Sequence, residues 1–243
     1  MLHGESQRSA SVTPCMAVTS LPEPLGRDDA RFFLDKIGAR GFPCVGAKSA
    51  AARGRLELVQ AQDITSGWND LEIHRALIEW SRDYDPSDPD LRSFVVVFDG
   101  PGDLSEAQFE RALWSRLQSL TDKDEWLGQR RDPEVVADPD NPHFAVSYGG
   151  RAYFIVGLHP GASRPARRFE RPAIVFNLHD QFERLREAGR YDKMRDTIIA
   201  RDIAYAGSKN PMLSDHGDAS AARQYSGRAV ADDWRCPFSD PRA

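Results

Sequence analysis

The strongest constraint on the fold lies between Phe144 and Arg186, which reads FAVSYGGRAYFIVGLHPGASRPARRFERPAIVFNLHDQFERLR. Three runs in it, Phe144–Tyr148, Ala152–Leu158 and Ala173–Leu178, are rich in β-branched and aromatic residues, which suit the half-buried pleat of a strand. Gly149-Gly150 between the first two marks a tight hairpin, because mirror-image hairpin turns need positive φ. The second run ends in His159-Pro160, and a loop with Arg164, Arg167, Arg168 and Arg171 leads to the third, which hands over to a helix near His179. The third run spans roughly 20 Å at about 3.3 Å per residue. If it pairs antiparallel with Ala152–Leu158, His159 and His179 fall at opposite edges and cannot share one metal. A parallel pairing would bring them together, but the link from Pro160 to Pro172 barely reaches the length such a crossover needs.

The remaining segments set the fold class. Arg27–Arg40 reads as a helix with Phe33 and Ile37 on one face, followed by a short extended or turning piece, Phe42–Lys48. Leu56–Ile64 is a strand candidate. Asp70–Tyr84 is an amphipathic helix whose Leu71, His74 and Ile78 share a face, with His74 read as a packed histidine. Asp85–Arg92 is rich in Pro and Asp and reads as loop. The unbroken apolar run FVVVFD at Phe94–Asp99 predicts a strand buried on both faces. Ser105–Leu120 carries a capping box at Ser105 and Gln108 and a stripe of Phe109, Leu113, Leu117 and Leu120. Asp122–Pro142 is expected to be a long loop, and Asp180–Tyr205 a helix interrupted at Gly189. These elements predict an α+β fold: a mostly antiparallel sheet of about five strands covered by helices, in a single domain. Residues 1–26 are expected to be a tail, 27–238 the domain, and 239–243 a second tail.

A net charge of −5 argues against nonspecific nucleic-acid binding, so the basic loop is a local feature of an acidic chain. No apolar run is long enough for a membrane span, and residues 1–20 lack the apolar core of a signal peptide. Three scattered cysteines, Cys15, Cys44 and Cys236, suit reduced thiols in the cytoplasm. Dinucleotide, P-loop, HExxH, GxSxG and CxxC motifs are missing.

The residues that carry chemistry cluster in a few places. His159 is either a rigidly aimed metal ligand or a plain strand terminus. Arg164, Arg167 and Arg168 are either solvated surface or a site for carboxylate or phosphate groups, haem propionates included. His179, in a first helical turn, is a ligand candidate or a cap residue. Cys44 is a thiolate candidate or a small core residue. Residues 207–228, rich in Gly, Ser, Asn and Asp yet carrying cationic and aromatic side chains, read as an ordered functional loop.

Taken together, FPCVGAK around Cys44, GLHPGASRPARRF at 157–169, IVFNLHDQFERLR at 174–186, GSKNPMLSDHGDASAARQYSGR at 207–228 and WRCPF at 234–238 resemble the YqcI/YcgG family. The likeness runs from about residue 27 to 238. It implies a haem-dependent oxygenase that N-hydroxylates a guanidino or amino nitrogen of arginine or a related small molecule. It implies haem b as cofactor, O2 and an external electron donor as partners, and His159 as the iron ligand, with His179 and Cys44 as the other candidates. Arg164, Arg167 and Arg168 would meet the propionates. Asp215, His216, Asp218, Arg223, Gln224 and Tyr225 would form the substrate side, the two carboxylates pairing with a guanidinium. His216 stands where many members are expected to carry an aromatic residue, which alters the distal pocket. The competing expectations are a haem-binding or haem-sensing protein without turnover and a metal-free anion-binding module. Monomer and homodimer both stay open.

Overall fold

The computed structural model describes residues 21–213 and 217–243. Among them a five-stranded sheet carries helices on both faces, in the order β1 (Leu56–Asp63), β2 (Ser93–Gly100), β5 (Ala173–Leu178), β4 (Arg151–Leu158), β3 (Val146–Tyr148). The pairs β2/β5, β5/β4 and β4/β3 are antiparallel, and β1/β2 is parallel. The sheet is therefore mixed, which corrects the expectation of a mostly antiparallel one. The reason is the connection from β1 to β2. It contains helix α3 (Asp70–Arg82) and the Asp/Pro loop, long enough to return the chain to the starting end of the sheet.

β2 explains the layering. Phe94, Val96 and Phe98 face one side, and Val95 and Val97 the other, each at most 3 % exposed. The first set packs with α3 and α4 (Glu106–Trp126) around Ile73, Leu77, Phe109, Leu113, Leu117 and Leu120. The second packs with α1 (Arg27–Gly38) through Phe33 and Ile37, with α2 (Val45–Ala52) through Ala47 and Ala51, and with Phe42 between them. Burying each such aromatic or branched side chain contributes about 1.5–3 kcal/mol, which is why an apolar run flanked by polar loops becomes an inner strand.

Local signals held where the chemistry was local. The Ser105 hydroxyl accepts from Gln108 N at 3.3 Å, and Gln108 Oε1 accepts from Ser105 N at 2.9 Å. Gly149 and Gly150 sit at φ 59° and 77° in the β3–β4 hairpin. Gly189, at φ 63°, separates α5 (His179–Glu187) from α6 (Tyr191–Ala206). Two expectations shift. Helix α4 runs six residues past Leu120, to Trp126, so the following loop is shorter than its composition implied. Its last turns pack inward through Thr121 and Asp124, both fully buried. Cys44 is the N-cap of a helix, its sulfur accepting from Ala47 N at 3.4 Å, instead of part of an extended segment.

The ends of the chain are tied in. Residues 1–20 of the expected N-terminal tail lie outside the described residues. Residues 23–25 run along the open edge of β1: Leu25 N donates to Leu58 O, and Gln60 N donates to Glu23 O. That covers backbone groups an exposed edge would otherwise offer to other chains. At the other end Ser239 N donates to Gln118 Oε1, and Arg242 reaches Asp124 on α4.

Candidate functional site

The antiparallel β4/β5 pair sends His159 and His179 to opposite ends of the strands. They cannot meet on one ion, so His159 has to be judged alone. Its backbone is fixed on both sides: its N donates to Arg167 O at 3.0 Å and its carbonyl accepts from Ala162 N at 3.2 Å. The imidazole is 1 % exposed and lies flat on Phe109 of α4, centroids 4.2 Å apart and planes 15° off parallel. Nδ1 is buried and has no hydrogen-bond partner among the described residues. Burial lowers the pKa of the ring, outweighing the opposing pull of the Glu106 charge, and the Arg167 charge adds the smallest push, also downward. The ring is therefore neutral at physiological pH and keeps a lone pair for a metal or a hydrogen bond.

The packing around this ring depends on bare backbone. A Cβ on Gly157 would fall 2.6 Å from Leu113 Cδ1 and 2.7 Å from Phe109 Cε1, and one on Gly161 would fall 2.7 Å from Leu104 O. Helix α4 can approach β4 closely only because those side chains are missing.

The arginines of the following loop are engaged. Arg167 donates to the carbonyls of Gly157 (3.0 Å), Gln224 (3.1 Å) and Tyr225 (3.3 Å), and burial pushes its pKa down to about 10. It still carries its charge near neutrality, so its role here is to stitch the 224–225 segment to β4. Arg164 pairs with Asp202 of α6 and donates to Ser208 O and Oγ. Arg168 donates to the carbonyls of Ala162 and Ser163. Arg171 bridges Asp29 and Asp99.

The remaining candidates are spread out. Cys44 packs with the α1/α2 core, and burial pushes its thiol up, against the N–H groups of Ala47 and Gly46 and the charge of Arg167. The protonated thiol is the form held. His179 opens α5 with Nε2 3.5 Å from Glu183 Oε1. Asp215 and His216 lie outside the described residues, and Asp218 is exposed beside them. Arg223 donates to Ala231 O and lies over the Trp234 ring. Gln224 lends its carbonyl to Arg167. Tyr225, in the short helix α7 (Ala222–Tyr225), is fully buried, stacked on Trp114 with its hydroxyl on Tyr153 O. The structure thus brings together His159, Arg167 and the backbone of 224–225, sets Cys44 within range of the Arg167 charge, and leaves His179, Arg223 and Asp218 elsewhere. Sequence reasoning missed Phe109 as the plate under His159, because the residue reads as one member of an ordinary core stripe.

The sequence profile of the YqcI/YcgG family matches residues 33–239. The chain belongs to the YqcI/YcgG family. No match was found among curated proteins or solved structures. Within this family member, every residue placed around His159 lies inside the matched span. Among the described residues no three His, Cys, Asp or Glu side chains converge as a metal cage, and no helix is long and apolar enough to cross a membrane.

Proposed function

We propose that this YqcI/YcgG protein is a haem-dependent oxygenase of the cytoplasm that N-hydroxylates an amino or guanidino nitrogen of arginine or a related small molecule, with His159 as the protein ligand to iron. The observation that carries the reading is the state of that imidazole: buried, fixed at both backbone groups, neutral, and with Nδ1 unpartnered among the described residues. Haem iron would need one donor from the protein, which His159 would provide, so a single imidazole without a metal cage fits the group. The arginine assignment fits less well. Arg164 pairs with Asp202, and Arg167 and Arg168 donate to backbone carbonyls, so these guanidinium groups hold the His159 loop in place.

Haem held there would supply the oxidising power for hydroxylating a substrate N–H, given O2 and electrons from an external donor. The chain's own part is positional and electrostatic. Phe109 fixes the plane of the imidazole, and burial disfavours its protonation. The metal-free anion-binding reading loses its main support, because the guanidinium groups that suggested it are occupied.

The test is a haemin titration of purified protein, followed in the Soret region with and without CO. Wild type should saturate at one haem per chain. His159→Gly should lose the ferrous–CO band, and added imidazole should restore it. Product assays by mass spectrometry, with arginine and a reductase, separate an oxygenase from a haem carrier. Loss of the band in His179→Ala or Cys44→Ala, with His159→Gly unaffected, would remove the ligand assignment.

A further inference from the structure

A cleft of about 630 Å³ lies between α2, the loop at 89–91 and the junction of α5 with α6. That volume is in the range that encloses a small organic ligand. Its walls are partly apolar: Val45 comes from α2, Leu91 from the loop, and Leu185 and Met194 from the two later helices. The bare backbone of Gly46 lets Leu91 lie against α2, since a Cβ there would stand 3.1 Å from Leu91 Cδ1. Three cations reach the same space, Arg53, Arg190 and Lys193, against one carboxylate, Asp90. Arg53 is paired with Asp90 at 3.0 Å, and Arg55 shares that carboxylate at 3.7 Å. Arg190 and Lys193 form no ion pair or side-chain hydrogen bond among the described residues, in contrast to the guanidinium groups around His159.

An apolar wall beside two uncompensated cations selects for one kind of occupant. We infer that this cleft binds a small organic anion with an apolar body, its carboxylate or phosphate head taken by Arg190 and Lys193 and its body laid on Leu91, Leu185 and Met194. A guanidinium and an ammonium side by side offer a bidentate fork and a point charge, which together suit an oxyanion. Met194 is unbranched and adapts to the body it meets. A cationic ligand is disfavoured by the excess positive charge, and an uncharged one would leave the two cations without a partner. The site shares none of its residues with the His159 region, so it stands or falls independently of the oxygenase reading.

Calorimetric titration with octanoate, octanol and octylammonium on the full chain tests this. Octanoate should bind at one site per chain, and octanol and octylammonium at least about tenfold more weakly, the factor worth one modest charge–charge contact. Arg190→Ser combined with Lys193→Ser should lower octanoate affinity by about tenfold or more. Both side chains are solvent-exposed, so the fold should survive, which thermal melting checks. Thr197→Trp, which fills the cleft without touching its charge, should also weaken octanoate binding. Octyl phosphate in parallel decides between the two head groups. Equal binding of octanol and octanoate, unchanged affinity in both variants, or no saturation up to about 10 mM, a free energy of only about 3 kcal/mol, would overturn the inference.

Discussion

Arg242, its side chain only 11 % exposed at the far end of the chain, is the side chain whose loss should cost most for its position. It reaches the carboxylate of Asp124, which is fully buried on α4. Asp124 also accepts from His74 Nε2 at 2.7 Å and from the hairpin amide of Gly149 at 2.9 Å. Arg242 further donates to both oxygens of Asp240 at 2.8 Å and to Ser147 O at 2.9 Å. One guanidinium thus joins the C-terminal segment, α4 and β3. Arg242→Ala leaves the buried Asp124 charge without that cation, a change that costs about 3–5 kcal/mol in such settings. For a chain of this length each kcal/mol lowers Tm by about 2–4 °C, so the drop should be about 10 °C. Thermal melts followed by circular dichroism read it. Arg235→Ala is the control, because the Arg235–Asp140 pair is 3.9 Å long with side chains 77 % and 58 % exposed, and pairs of that kind contribute at most about 1 kcal/mol. Asp124→Asn added to Arg242→Ala should recover part of the loss by removing the orphaned charge. A Tm change for Arg242→Ala no larger than that of Arg235→Ala would refute the argument, and so would strict additivity in the double variant.

Other outcomes follow from the same contacts. Gly157→Ala places a methyl against Leu113, Phe109 and Tyr225 O, and urea unfolding should show a loss of about 1–3 kcal/mol or more from overpacking. Burial holds the folded pKa of His159 below its ordinary value near 6.5, so the unfolded chain takes the proton first. That contribution to stability is complete above about pH 6.5 and is lost as pH falls from there toward the folded pKa, so His159→Phe should flatten the fall of Tm between about pH 6.5 and 5. Arg228 donates from Nε to the buried Glu110 of α4 at 2.6 Å, and Arg228→Ala should make the 217–228 segment a faster target in limited proteolysis while distant peptides keep their rates.

What could be read in one dimension was what a few neighbours decide. The hairpin at Gly149-Gly150, the capping box at Ser105, the break at Gly189 and the doubly buried Phe94–Phe98 run each depend on local backbone preference or on periodicity. The parallel β1/β2 pair does not: it is set by where a long connection delivers the chain, and nothing in Leu56–Asp63 encodes its neighbour. The inward turn at the end of α4 escaped for a related reason. Asp122–Trp126 is polar in composition, yet Asp124 is buried because His74, Gly149 and Arg242 arrive from three other parts of the chain to satisfy it. Tyr225 reads as an aromatic residue of an ordered functional loop and lies in the core because Trp114 stacks on its ring and Tyr153 O accepts from its hydroxyl.

The arginines show the same limit from the other side. A run such as Arg164–Arg168 looks like an anion site, since composition records charge and not partners. In three dimensions its guanidinium groups satisfy carbonyls and Asp202, and their work is to lock a strand end. Arg190 and Lys193 look ordinary in sequence, two cations at the start of a helix, yet they are left without a partner among the described residues beside an apolar wall. Unspent donor capacity, rather than density of charge, is therefore the better guide to where a ligand goes. Among the described residues, two such places carry the proposals made above: Nδ1 of His159, without a hydrogen-bond partner, and Arg190 with Lys193 at the head of α6.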